Sequence, residues 1–232
     1  MSISLIIPAY NEEKRLGVFL QSIVDYSNQQ QDIGEIIVVD DGSSDATLSL
    51  AEKFSHNLPL RIIKHEKNRG KGAAVRTGVM AAASDYIIFM DADGATPITE
   101  LPKMADALEE AQVAIGNRWM AGSQTQRRSS LRKLAGFIYR QYMGLFGLGQ
   151  IDTMCGFKGY HSAVARKLFS NLQEERWLFD AEIAYKAIQA GYTIKNFPIT
   201  WESKDGSKLD SKTLIKTAFQ IWPLIRKIKP LI

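Results

Sequence analysis

A single cysteine, Cys155, stands in 232 residues, which excludes an intramolecular disulfide framework and any all-cysteine metal site. The three histidines, His56, His65 and His161, lie far apart and lack zinc-ligand spacing. No stretch approaches the roughly eighteen uninterrupted apolar residues of a spanning helix. The apolar start, Ser2 to Pro8, has no basic region before it and meets a polar turn at once, unlike a secretory signal. The expectation is a chain neither integral to a membrane nor marked for secretion. No Gly-x-Gly-x-x-Gly follows the first apolar run and no Walker spacing occurs, which argues against a nicotinamide enzyme and an ATPase. The 17 glycines and 7 prolines are dispersed, so collagen-like and low-complexity readings fail.

Acids are also missing locally. Gly116 to Gly149 carries six basic residues (Arg118, Arg127, Arg128, Arg132, Lys133 and Arg140) and no acid. Lys204 to Ile232 carries seven basic residues and two acids, so the rest of the chain is net acidic although the total is +4. Such polarity suits a polyanion or an anionic membrane surface. It is also the composition of an ordinary solvated face.

What is present is an alternation. Ile3–Ile7, Ile36–Val39, Leu60–Ile63, Tyr86–Met90 and Val113–Ile115 are short apolar runs. Between them, Glu12–Tyr26, the stretch past Ser43 and Ser44, Gly70–Ala83 and Thr99–Glu110 have helical spacing. Doubly buried strands separated by helices predict an α/β/α sandwich with a mostly parallel central sheet. After Arg118 the alternation stops. Trp119–Arg128 reads as polar loop, Leu131–Leu148 as helix, Phe157–Tyr160 as strand and Phe179–Ala190 as helix. Leu214–Ile232 reads as two helical pieces separated by Pro223. The expected organisation is one domain over 1–212. A basic amphipathic segment over 213–232 then lies on a membrane surface or packs on the core.

Ligands of open α/β sheets gather at the carboxyl ends of the strands. Five polar clusters fall there, beginning at Pro8, Asp40, Asn68, Asp91 and Gly116, which predicts one shared cleft. Asp91 and Asp93, one small residue apart, can address one divalent cation jointly with phosphates, or simply cap the next helix. Asp40 and Asp41 can hold base or ribose hydrogen bonds, or shape a turn. Gly70-Lys71-Gly72 at a helix start can cradle a pyrophosphate with backbone N–H groups.

Ile6-Ile7-Pro8-Ala9-Tyr10-Asn11-Glu12, Val38-Val39-Asp40-Asp41-Gly42-Ser43 and Asp91-Ala92-Asp93 resemble hallmark segments of the family 2 inverting glycosyltransferases, which have the GT-A fold. Five later segments are similar to the dolichyl-phosphate β-glucosyltransferase group. They are Asn68 to Gly72, Asp91 to Thr96, Arg128-Ser129, Asp152 to Lys158 and Glu175 to Glu182, with Trp201 and Gly206-Ser207-Lys208 fitting as well. Met154 stands where that group usually has glutamine, and Asn117 where serine is common.

The resemblance implies glucose transfer from UDP-glucose to a polyprenyl phosphate, with inversion and with Mg2+ or Mn2+ as cofactor. It implies a cytoplasmic protein held peripherally at the cytoplasmic face of a membrane. Pro8, Ala9, Tyr10, Glu12, Asp40 and Asp41 would then face the nucleoside, with Asp91, Ala92 and Asp93 at the donor and its metal. Lys71, Ser207 and Lys208 would approach the donor phosphates. Arg118, Arg128 and Arg132 would meet the lipid phosphate, for which a guanidinium fork is suited. Asp93, Asp152 and Asp180 are the catalytic candidates. A polyprenyl-phosphate mannosyltransferase or another family 2 enzyme is the alternative. A non-catalytic nucleotide-sugar or anionic-lipid binding module is the non-enzymatic one. Nucleic acid is not expected as a partner, since it would not call for the paired carboxylates.

Overall fold

The computed structural model describes residues 2–30, 32–126, 130–204 and 220–228, with backbone alone for 130–133. Its central sheet has seven strands in the order β3 (Leu60–Lys64), β2 (Ile33–Asp40), β1 (Ile3–Ala9), β4 (Tyr86–Met90), β7 (Phe157–His161), β5 (Val113–Asn117) and β8 (Ile194–Pro198). All run parallel except β7, which is antiparallel to both neighbours. A small second sheet pairs β6 (Gln124–Gln126) with β9 (Thr200–Glu202).

The strands read as continuous apolar runs because both faces are covered, yet successive residues still serve opposite layers. Ile6, Ile37, Val39, Ile87 and Phe89 join one core. Beneath it lie α3 (Lys71–Ala81), α5 (Ser130–Gly144), α6 (Ser162–Ser170) and α7 (Phe179–Gln189). Leu5, Ile7, Ile36, Val38, Ile88 and Met90 join the other, with α1 (Leu16–Ser27), α2 (Thr47–Glu52) and α4 (Leu101–Glu110). The expected α/β/α sandwich with a mostly parallel sheet is what the chain forms.

Two features differ from expectation. The Trp119–Arg128 loop contains β6. Pro223 does not break the described part of the C-terminal segment: residues 220–227 are helical through it, here α8. Proline's fixed φ is compatible with a helix. Ile221 and Leu224 of α8 are buried in the first core, so the described part of 213–232 packs on the domain. Tyr139, Met143 and Leu148 lie in that core too.

The carboxyl ends of β1, β2, β4 and β5 open on one edge of the sheet. Because β7 runs backwards, its beginning opens there as well, and it brings the 152–156 loop against Asp91.

Candidate active site

The β1 end turns through Asn11, whose φ of 49° is left-handed, a region that asparagine tolerates better than most residues. The β2 loop holds this turn. Ser43 Oγ accepts the Asn11 N–H at 2.9 Å, Thr47 Oγ1 accepts the Glu12 N–H at 2.7 Å, and Asn11 Oδ1 accepts the Ser44 N–H at 2.9 Å. Glu12 in turn takes two guanidinium hydrogen bonds from Arg15, at 2.6 and 2.7 Å.

At the end of β2 the two aspartates part company. Asp40 is buried and accepts the Ser43 N–H at 3.0 Å, serving the turn. Asp41 reaches the cleft wall, but its oxygens take Arg69 N–H, Gly70 N–H and Asn68 Nδ2 at 2.9, 2.7 and 2.9 Å, with His65 Nδ1 at 2.7 Å. A carboxylate only accepts, so that imidazole nitrogen carries its hydrogen. Asp41 thereby anchors the loop before α3, where Gly70 has a φ of 116° that a side chain would oppose. Two of the three N–H groups of the backbone cradle expected at Gly70-Lys71-Gly72 are already taken. Besides Gly70, Gly72 N–H donates to Arg176 O at 3.2 Å and Ala73 N–H to Glu175 O at 3.0 Å. From this turn it is the Lys71 side chain that enters the cleft.

Lys71 Nζ lies 2.5 Å from Asp91 Oδ1. Burial opposes the Lys71 cation, but the charges of Asp91, Asp180 and Asp93 together hold its pKa above the ordinary lysine value. The Asp91 N–H donates to Gly156 O at 3.0 Å, pressing the two loops together. Asp93 Oδ1 accepts the Ala95 N–H at 3.0 Å, and Arg15 Nη1 stands 3.8 Å from its Oδ2. Burial, reinforced by the like charge of Asp91, pushes the Asp93 pKa up.

On the far side, Arg118 forms a two-pronged pair with Asp152 at 2.7 and 2.8 Å and stacks 5.0 Å from the centre of the Trp201 ring. Burial opposes ionisation of Asp152, yet the Arg118 charge and hydrogen bonds win and hold its pKa below the usual value. Asp180 lies 3.0 Å from the buried Lys158 Nζ. Burial raises the Asp180 pKa against the pull of Lys158 and Lys71.

These groups surround a cleft of ≈ 370 Å³, within the usual range for small-molecule sites. Pro8, Ala9, Tyr10, Glu12, Asp41, Lys71, Asp91, Ala92, Asp93, Arg118 and Asp180 all line it. Asp40 and Asp152 stand behind it, one shaping a turn and the other steering Arg118. Arg128, Ser207 and Lys208 lie outside the described residues, as does the side chain of Arg132. The cleft also uses Arg15 and Asn68, together with Arg176 and Trp177. Arg15 carried no signal in the sequence beyond its three-residue spacing from Glu12. The others lay in recognised segments without an assigned task.

Asp91 and Asp93 fit a hard divalent cation: they are two carboxylates on one loop, close enough that the charge of Asp91 disfavours ionisation of Asp93. No group of three metal-capable side chains occurs among the described residues. Phosphate or water oxygens would have to complete the coordination shell, as magnesium sites commonly arrange.

Comparison with known proteins agrees with this architecture. The sequence model for "Glycosyl transferase family 2" matches residues 4–169. The dolichyl-phosphate beta-glucosyltransferase of Dictyostelium discoideum is 34% identical, over 98% of this chain and 77% of its own length. Those of Saccharomyces cerevisiae and Homo sapiens are 35% and 36% identical, each over 89% of this chain and 69% of the relative. Among solved structures, Mycobacterium tuberculosis glucosyl-3-phosphoglycerate synthase in complex with Mn2+, UDP and glucosyl-3-phosphoglycerate superimposes with a TM-score of 0.68. It is 18% identical, over 97% of this chain and 78% of that one. On its sequence match and its GT-A fold, this chain belongs to glycosyl transferase family 2.

Proposed function

We propose that the protein transfers glucose from UDP-glucose to a dolichyl-type polyprenyl phosphate, inverting the anomeric carbon, at the cytoplasmic face of a membrane. The observation that carries this reading is the gathering of Lys71, Arg118 and Arg176 around the Asp91–Asp93 loop in one cleft. That is a place for two phosphate-bearing substrates at once. The names of the curated relatives support glucose and a lipid phosphate. The segments around Pro8 and Asp41 support uridine.

The chemistry follows from the acceptor. A phosphate monoester is anionic at neutral pH, so its oxygen attacks the anomeric carbon without surrendering a proton to a base. The bond from that carbon to the UDP oxygen breaks, and its electron pair leaves with UDP. A Mg2+ or Mn2+ ion held by Asp91 and Asp93 would neutralise the departing diphosphate. The chain's own part is alignment and charge. Asp152 takes two of the guanidinium nitrogens of Arg118 and Trp201 covers its face, which orients the cation toward the acceptor phosphate. Asp180, between Lys158 and Lys71, sets the charge balance of the cleft floor. The segments carrying Arg128, Arg132, Ser207 and Lys208 remain assigned to the substrate phosphates by resemblance.

An exposed apolar stripe supports the membrane part. Leu134, Phe137, Ile138 and Leu145 face outward along α5 and its end, and Trp222 of α8 beside them is 53% exposed. The ring of Phe146 lies 6.0 Å from that of Trp222, joining the two helices. The surrounding sequence is basic and nearly free of acids, which suits an anionic lipid surface.

A panel of UDP- and GDP-sugars with short and long polyprenyl phosphates, read by mass spectrometry of the lipid product, tests the proposal. Glucosyl phospholipid from UDP-glucose, lost on chelation, is the expected product. Faster turnover with GDP-mannose would overturn the glucosyl assignment.

A further inference from the structure

Glu182 and Lys186 of α7 form an ion pair of 2.5 Å with side chains 0% and 2% exposed, and neither lines the cleft. Burying two charges is costly where apolar residues would pack as well, so their remaining contacts are informative. All of them reach one segment. The Glu182 carboxylate accepts Gln173 N–H at 3.0 Å and Glu174 N–H at 2.8 Å, and Lys186 Nζ donates to Asn171 O at 2.8 Å.

That segment continues into the cleft wall. Glu175 O and Arg176 O receive the Ala73 and Gly72 N–H groups in the first turn of α3, and Arg176 and Trp177 line the cleft. The Trp177 ring centre is 6.0 Å from Lys71 Nζ. There is no slack in the joint: a Cβ on Gly70 would lie 2.5 Å from Glu175 O, and one on Gly72 2.7 Å from Glu174 O.

We infer that Glu182 is a positioning residue. Through its pair with Lys186 it clamps the 171–177 segment, which fixes Arg176 and Trp177 on the cleft and seals the start of α3 behind Lys71. With the Gly72 and Ala73 N–H groups taken, side chains are the main groups left to meet the donor diphosphate, and their placement depends on this clamp. The phosphate role rests on the nucleotide-sugar reading of the cleft, whereas the clamp itself does not.

The test uses the full chain with Glu182→Gln and the double variant Glu182→Gln/Lys186→Met, which removes both charges and keeps an amide acceptor. Hydrogen exchange at residues 72, 73, 173 and 174 should quicken in both. The donor KM should rise about tenfold or more, as small misplacements of binding groups do, with kcat changed much less. The double variant should regain thermal stability, being free of an unpaired buried ammonium, without regaining the wild-type KM. Should the single variant not fold, the double variant carries the same measurements. Wild-type exchange at those amides, or a KM restored together with the melting temperature, would overturn the inference. Exchange needs no substrate, so it judges the clamp even if UDP-glucose proves to be the wrong donor.

Discussion

Replacing Gly156 by alanine tests whether the position of Asp91 matters to the chemistry. A Cβ at this position would stand 2.0 Å from Asp91 Oδ2, whereas ordinary contact begins at 3.4 Å. The carboxylate must therefore move by about 1.4 Å. Its side chain is 35% exposed, so it can swing into the cleft at little expense to the fold. The expected destabilisation is about 1 kcal/mol, the low end for added core volume. The same swing breaks the 2.5 Å contact with Lys71 and carries one of the two carboxylates proposed to hold the cation out of place. A misplacement of roughly 1 Å near reacting groups costs on the order of 10²-fold in rate, or about 2.7 kcal/mol of barrier. Steady-state transfer at saturating donor should fall by that factor, while the circular-dichroism melt moves by only a few degrees. Transfer within threefold of wild type, in a variant that melts normally, would refute the claim that Asp91 must stay where Gly156 lets it sit.

Four further expectations follow from the same geometry. Asp93→Asn should abolish most transfer yet leave the metal-free protein as stable or more so, because it removes a carboxylate that burial and Asp91 already disfavour; a melting scan and a rate check both. Asp152→Asn leaves Arg118 buried and uncompensated, at about 3–5 kcal/mol by denaturant titration. The folded pKa of Asp152 lies below its unfolded value of about 3.9, so the pair's stabilisation is whole above that pH and drains as pH falls through the folded pKa. The variant should accordingly show a flatter acid limb. Cys155 is 0% exposed and its thiol is pushed up to about 12 by burial; iodoacetamide at pH 8 should spare it in the native protein and modify it in urea. Phe137→Glu, on the exposed stripe, should weaken flotation with anionic liposomes without shifting the melt, and undiminished flotation would dismiss that surface as a membrane contact.

Much of the scaffold was legible because β1, β2 and β4 are buried on both faces and so appear as unbroken apolar runs. Tyr86–Met90 was readable to the residue. Strand β8 was not, because it lies at the sheet edge and only Phe197 of Ile194–Pro198 is fully buried. Helix α6 has Val164, Ala165, Leu168 and Phe169 on its inner face, a spacing that was present and unread. The reversed direction of β7 leaves no trace in composition, since an apolar strand reads alike both ways. Nor can local sequence reveal that Asp152 is spent on Arg118, 34 residues away, or that the amides of Gly72 and Ala73 in the first turn of α3 are claimed by residues 176 and 175. Those pairings are made by the fold, not by neighbours in the chain.

The antiparallel strand has an architectural consequence. Between leaving β5 at Asn117 and re-entering the sheet at Phe157, the chain makes one long excursion that contains Arg118, Asp152, Met154 and Gly156. Strands β4, β7 and β5 keep their register on either side of it, while the loops that the proposed function gives to the nucleotide hang from β1, β2 and β4. On the proposed function the polypeptide is divisible: a chassis for the nucleotide sugar, and an insert for the acceptor. Swapping residues 118–156 for those of a relative with a different acceptor should transplant acceptor preference in one graft. The seam between chassis and insert comprises the hydrogen bond from Asp91 to Gly156, the pairing of β6 with β9, and the packing of Tyr139, Met143 and Leu148 in the first core.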